Sequence, residues 1–176
     1  MAGFGHQPFG LRQVKLVSAD GLTSADLPAA MTMSVKETTV SGTLRGNDKT
    51  LAAVSIADAA EWELENGGIS LEAYAIMTGR TVTTSGTTPN AKVTLSLKAG
   101  DVFPYFKVYG KSIGPNGDDT HVKMARCKLL GDGIDGQFSD GKFFTTKCKG
   151  SALGDPSTNL VVDIVQNETA ANLPTS

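Results

Sequence analysis

The chain has 176 residues, a length that suits one domain, with 40% hydrophobic residues, 19% charged ones and 20 glycines. That balance fits a turn-rich β protein better than a helical bundle. The formal charge of -2 and pI near 5.6 argue against a nucleic-acid-binding surface, which is usually basic, and no apolar run approaches the ~18 residues of a membrane span.

In chain order, residues 1–10 (MAGFGHQPFG) are Gly-rich and uncharged apart from His6. They read as an arm, without the charged start and apolar block of a signal peptide. Leu11–Ser18 alternates as a strand, and Asp20-Gly21 marks a turn. Met31, Met33 and Val35 then alternate with Thr32, Ser34 and Lys36. The phase blurs at Glu37–Val40, as a bulge would produce. Gly46-Asn47-Asp48-Lys49 reads as a turn, and Leu51–Ala57 and Ala60–Glu65 follow as a second extended stretch. Together these predict an elongated hairpin with its tip near Gly42–Lys49.

Ser70 and Gly79 frame a short helix. A serine oxygen can accept a first-turn amide hydrogen, and glycine takes the left-handed conformation at a helix end without a Cβ clash. Between them only Glu72 is charged, so the helix is expected to be covered on more than one side. Strands are then expected at Thr81–Ser85, Lys92–Lys98, Val102–Lys111, Val122–Leu130, Phe138, Phe143–Lys149 and Leu160–Gln166. Turns are expected at Gly86–Asn90, Ser112–Thr120 and Asp140-Gly141, and a small-residue tail at 167–176. One helix among many short strands predicts a mainly β fold, a single sandwich or barrel domain over 1–176 with a flanking helix.

Charge is uneven. Thr50–Gly79 holds Asp58, Glu61, Glu63, Glu65 and Glu72 without a Lys or Arg, whereas Lys107–Lys149 is net basic. Two readings stand: solvated strand faces, or complementary surfaces between identical subunits. Within Ala60–Glu65 the alternation puts Trp62 and Leu64 on one face and Glu61, Glu63 and Glu65 on the other.

Catalytic and metal-binding patterns are missing. His6 and His121 lack a partner at metal-pair spacing and read as surface histidines. Gly136–Lys142 matches most of a phosphate-binding loop, but Phe143 replaces the required Ser or Thr and the context is a strand turn. Asp132, Asp135 and Asp140 read as turn residues. No serine sits in a nucleophile elbow. The expectation is no enzyme, no cofactor and no metal. Cys127 and Cys148 read as free buried thiols.

Several stretches together resemble the tail tube (major tail) proteins of long-tailed bacteriophages: Gly46–Asn90, Pro104–Ser112 (PYFKVYGKS), Gly136–Thr146 (GQFSDGKFFTT) and Ile164–Ala170. The resemblance runs through most of the chain and is densest around the acidic strand and the helix. It implies subunits that form hexameric rings stacked head to tail into a hollow tube. Each subunit would lend strands to one inner barrel, and arms and a long hairpin would link the rings. The lumen would hold a tape-measure protein during assembly and conduct DNA without binding it specifically. Tail terminator and baseplate or tip proteins would cap the tube, and the site of action would be the virion tail, with no membrane partner.

On that basis Glu61, Glu63 and Glu65 are candidates to face the lumen, the alternative being outer solvent or a salt bridge. Leu71, Tyr74, Ile76 and Met77 of the helix are candidates for the contact within a ring, the alternative being that the helix caps its own sandwich. Phe4, Phe9, Arg45, Asn47, Asp48 and Lys49 are candidates for contacts between rings. Tube subunits of contractile tails and bacterial secretion machines are a related alternative. A different class is a β-sandwich adhesin or carbohydrate-binding module, which would need Phe103, Tyr105 and Tyr109 exposed and not packed in a core.

Overall fold

The computed structural model describes residues Gln7–Pro174; Phe4 lies outside them. The protein is mainly β and antiparallel, with ten strands and one helix among the described residues. The strands are β1 (Phe9–Ser18), β2 (Ser24–Asp26), β3 (Ala30–Gly46), β4 (Lys49–Asn66), β5 (Thr83–Ser85), β6 (Lys92–Thr94), β7 (Phe106–Ile113), β8 (Asp119–Gln137), β9 (Thr145–Ala152) and β10 (Val162–Asn167); α1 spans Leu71–Thr78. The main sheet runs β2-β1-β7-β8-β9-β4-β3, with β10 also on β8.

The long strand β8 serves both halves of this sheet. Its first half lies between β7 and β10, since Met124 opposes both Val108 and Val162. Its second half, past Cys127, continues against β9. Within that pairing a register shift falls between Leu129 and Ile134, the local disruption expected of extra residues on one strand. One layer is therefore β1, β7, β10 and the start of β8; the other is the end of β8 with β9, β4 and β3.

The apolar faces of the two layers meet. Val14, Leu16, Phe106, Val108 and Met124 come from the first, and Ala60, Trp62, Leu64, Leu129, Cys148 and Ala152 from the second. Trp62 of β4 and Phe106 of β7 touch edge to face, with ring centroids 5.7 Å apart. Gly150 of β9 makes room for the indole: a Cβ there would stand 2.0 Å from the Lys128 carbonyl oxygen and 2.7 Å from the Trp62 ring.

The helix forms where the sequence predicts it. The Ser70 hydroxyl accepts the Ala73 amide hydrogen, and Gly79 sits at φ 71° with its N–H donated to the Ala75 carbonyl. Ala73, Ile76, Met77 and Thr78 are buried against this chain's own sheet.

Several expected boundaries move. β1 begins at Phe9, so the arm gives up its last residues to the sheet. The strand expected at Val102 starts only at Phe106, and neither Phe138 nor Phe143 is in a strand; both flank the Ser139–Lys142 turn between β8 and β9. Asp135 lies in β8 opposite Lys147, not in a turn.

The expected tail at 167–176 is tied to the body over its described residues, up to Pro174. Asn167 completes β10, and Asn167 Nδ2 and the Ala171 amide each donate to Asp119 at 2.7 Å. Leu173 is buried with Val17 and Tyr109. Asp119 is itself fully buried and also meets Lys111 Nζ at 3.1 Å and His121 Nε2 at 3.0 Å. His121 is therefore a buried partner of a carboxylate and not a surface residue. Sequence spacing gave no sign of this network, because its members come from β7, β8, β10 and the tail.

Candidate assembly surfaces

The β3–β4 hairpin is the most exposed part of the chain. Its base packs on the core, with Met33 and Val35 opposite Leu64 and Trp62. Beyond Thr38 and Ala59 both strands leave the body as a two-stranded ribbon, exposed on both faces. Asp58 of β4 is the extra residue of a bulge at the point of departure, across from Thr38 and Thr39 in the stretch of β3 where the sequence loses its phase. The tip is a two-residue turn, Asn47-Asp48, both at positive φ, as tight hairpin turns require. Gly42 and Arg45 pair in the ribbon, so the tip is shorter than the expected Gly42–Lys49 loop.

Opposed residues on an antiparallel ribbon share a face. Val40, Leu44, Ala52, Val54 and Ile56 fall on one side, and Thr39, Ser41, Thr43, Ala53 and Ser55 on the other. The four large side chains of the apolar side are each 60–63% exposed. No charge occurs in Thr38–Leu44 or Thr50–Ala57. An isolated two-stranded hairpin is marginal in water, and an apolar stripe on one is surface suited to a partner.

Two sheet edges are also open. Among the described residues, no strand pairs with the outer side of β3. On β8, Cys127 opposes Phe106 of β7 on one side and Ala152 of β9 on the other, and β7 ends its pairing there. The β7 side of residues 128–137 is therefore without a strand. The unit β8(128–137)-β9-β4-β3 is a four-stranded antiparallel sheet with both edges unpaired, a state that natural sheets normally cover.

Glu61, Glu63 and Glu65 face away from the core, with Trp62 and Leu64 inward, as the alternation predicts. The face they share is not acidic overall. Glu61 pairs with Lys36 at 3.7 Å and Glu65 with Lys147 at 3.6 Å, and Glu63 stands opposite Lys149 in register. The lysines come from β3 and β9, so the acidic run of sequence becomes a ladder of mixed charge once the sheet forms.

The other candidates divide. Ile76 and Met77 lie in the protein's own core, which rules them out as free contacts; Leu71 and Tyr74 are half-buried. Phe9, Arg45, Asn47, Asp48 and Lys49 are all exposed, the last four at the ribbon tip. Tyr109 is buried, Phe103 is half-buried and Tyr105 lies under the Arg126 guanidinium at 4.1 Å, so these three offer no exposed aromatic platform for a sugar. The sequence did not single out Phe143 and Phe138 as contacts, yet at 96% and 81% they are among the most exposed apolar side chains. Their exposure follows from the turn between β8 and β9 ending in aromatics, where no other element covers them.

Among the described residues no group of three His, Cys, Asp or Glu converges as a metal-ligand set, and no helix is long and apolar enough to cross a membrane. The near match to a phosphate-binding loop at Gly136–Lys142 lies in the β8–β9 hairpin, with no helix after it. No family model and no curated protein matches the chain.

Proposed function

We propose that the chain is a structural subunit of a hollow tube, of the kind that forms the tail of a long-tailed bacteriophage. The observation that carries this reading is the four-stranded sheet open at both edges. Its strands alternate in direction from β8 to β3, so β3 of one copy set beside residues 128–137 of the next continues the antiparallel order. Repetition around an axis closes a barrel and leaves no edge exposed. The hexameric ring is what the sequence resemblance implies.

The ribbon supports the second half of the reading, the stacking of rings. It projects from one end of the sheet with an apolar face that its own chain does not cover. Such a contact joins two different surfaces, and directed along the axis, where no rotation closes it, it builds an open filament. In this reading the Glu61–Glu65 face lines the lumen. Its carboxylates occupy the neighbouring lysines, which keeps those lysines from holding phosphates by counterion release. DNA and a tape-measure protein would then pass along a wall of balanced charge, not along an acidic one. Terminator and baseplate or tip proteins would close the ends, and the tube would reside in the virion.

Electron microscopy of the purified protein in negative stain tests the reading. Hollow tubes with a central channel are expected. Solid filaments, or a closed dimer at every concentration, would contradict it.

A further inference from the structure

The β8–β9 hairpin ends in an aromatic finger. Phe138 stacks on Phe144 with ring centroids 4.2 Å apart, Phe143 is 96% exposed, and Lys142 lies beside it in the turn. The finger is seated firmly: Gly136 carries no Cβ where one would come within 2.5 Å of the Phe144 ring. An exposed pair of phenylalanines on a braced turn is costly in water unless something covers it.

At the other end of β8 the two layers splay apart. A cleft of about 480 Å³ opens there, and Leu11, Met33, Val35, Val122, Val162 and Ile164 line it. Glu37 stands on its β3 wall. Among the described residues neither Glu37 nor Lys142 has an ion-pair partner. Thr120 and Val122, near the start of β8, line the cleft, whereas the finger follows Gln137 at its end. Protrusion and cavity thus lie at opposite ends of a 19-residue strand, up to about 60 Å of extended chain.

We infer that the aromatic finger of one copy inserts into the interlayer cleft of the next, with Phe143 in the apolar cavity and Lys142 against Glu37. The occupant is a second copy of this chain because finger and cleft match in both apolar character and charge. Because the surfaces lie at opposite ends, each copy uses one of each, a head-to-tail contact of the kind that propagates into a filament when its rotation does not close. This inference rests on the stacking reading and names the surfaces that stack.

The test uses the full chain and measures the concentration at which sedimenting tubes appear. Phe143→Ser and Glu37→Lys should each raise that concentration by at least about tenfold, the loss typical of truncating a buried aromatic anchor. Neither change should alter the circular dichroism of the monomer, because both side chains are exposed. Glu37→Lys combined with Lys142→Glu should restore assembly. If Phe143→Ser assembles like the unaltered protein, the finger contact is wrong while the tube reading stands. If the double variant fails to recover, the pairing of Glu37 with Lys142 is wrong. If the unaltered protein stays monomeric at every concentration, the stacking reading falls, and this contact with it.

Discussion

Trp62 and Phe106 meet edge to face at 81°, 5.7 Å between centroids, and they are the point where the two layers of the sandwich lock together. Trp62 comes from the strand whose opposite face carries the glutamates, so the packing of this pair orients the charged face. Trp62→Ala should cost about 3–5 kcal/mol, as other large-to-small aromatic changes in cores do, read as a lower urea midpoint. Trp62→Phe should cost less, because the buried indole N–H has no acceptor to lose.

Gly150→Ala should be as damaging as the loss of the tryptophan, by the opposite mechanism. The new methyl would overlap the Lys128 carbonyl and the indole together, and neither backbone nor a buried ring can yield cheaply. Loss of soluble protein or a much lowered melting temperature is the expected outcome, whereas Gly42→Ala, with nothing within 4 Å, should cost little.

Asp119 ties the segment around Ala171 to the body. Burial alone would raise its carboxyl pKa, but hydrogen bonds from Asn167, the Ala171 amide, Lys111 and His121 outweigh it and hold the group well below the usual carboxylate range. A depressed folded-state pKa contributes stability that is complete above the unfolded value, about 3.9, and is lost only as pH falls toward the folded one. The tail should therefore stay docked at pH 4 and release in stronger acid, measured by exchange of the Ala171 amide. Asp119→Asn should release it already at pH 7 and destabilise the fold by about 3–5 kcal/mol, because the Lys111 ammonium is left buried without its counter-charge.

The two thiols should be inert in the folded state. Burial pushes Cys148 up to about 12, with the Glu63 charge adding to it, and burial pushes Cys127 up further. Thiolate is the reactive form, so a thiol reagent at pH 8 should label neither until the protein unfolds. Fast labelling of either one under native conditions would contradict their place in the core.

Ile76→Asp separates the two readings of the helix. Ile76 and Met77 lie in the core, so the variant should unfold and not survive as an assembly-deficient monomer. Ser70→Ala, which removes the cap, should cost about 1 kcal/mol and leave assembly intact.

Much of this fold is legible in the sequence because period and punctuation coincide with it. The alternation of Trp62 and Leu64 with three glutamates gives the face of β4, and Ser70 with Gly79 gives both ends of α1. The blurred phase at Glu37–Val40 marks the bulge where the ribbon leaves. What could not be read is what depends on partners far apart in sequence. Lys36, Lys147 and Lys149 neutralise the glutamates only when β3 and β9 are laid beside β4. Asp119 meets Asn167 only after β10 returns to β8. The exposure of Phe143 is a property of the finished sandwich, since an apolar pair such as Phe143-Phe144 reads as core until the strands around it are placed.

In the proposed tube, β3 of one copy pairs with residues 128–137 of the next. A cryo-electron-microscopy reconstruction of assembled tubes tests it most directly. A continuous antiparallel barrel around the channel is expected, with backbone hydrogen bonds between β3 and the β8 edge across every subunit boundary. Tubes in which either of those edges faces solvent, or in which subunits meet only through side chains, would contradict it.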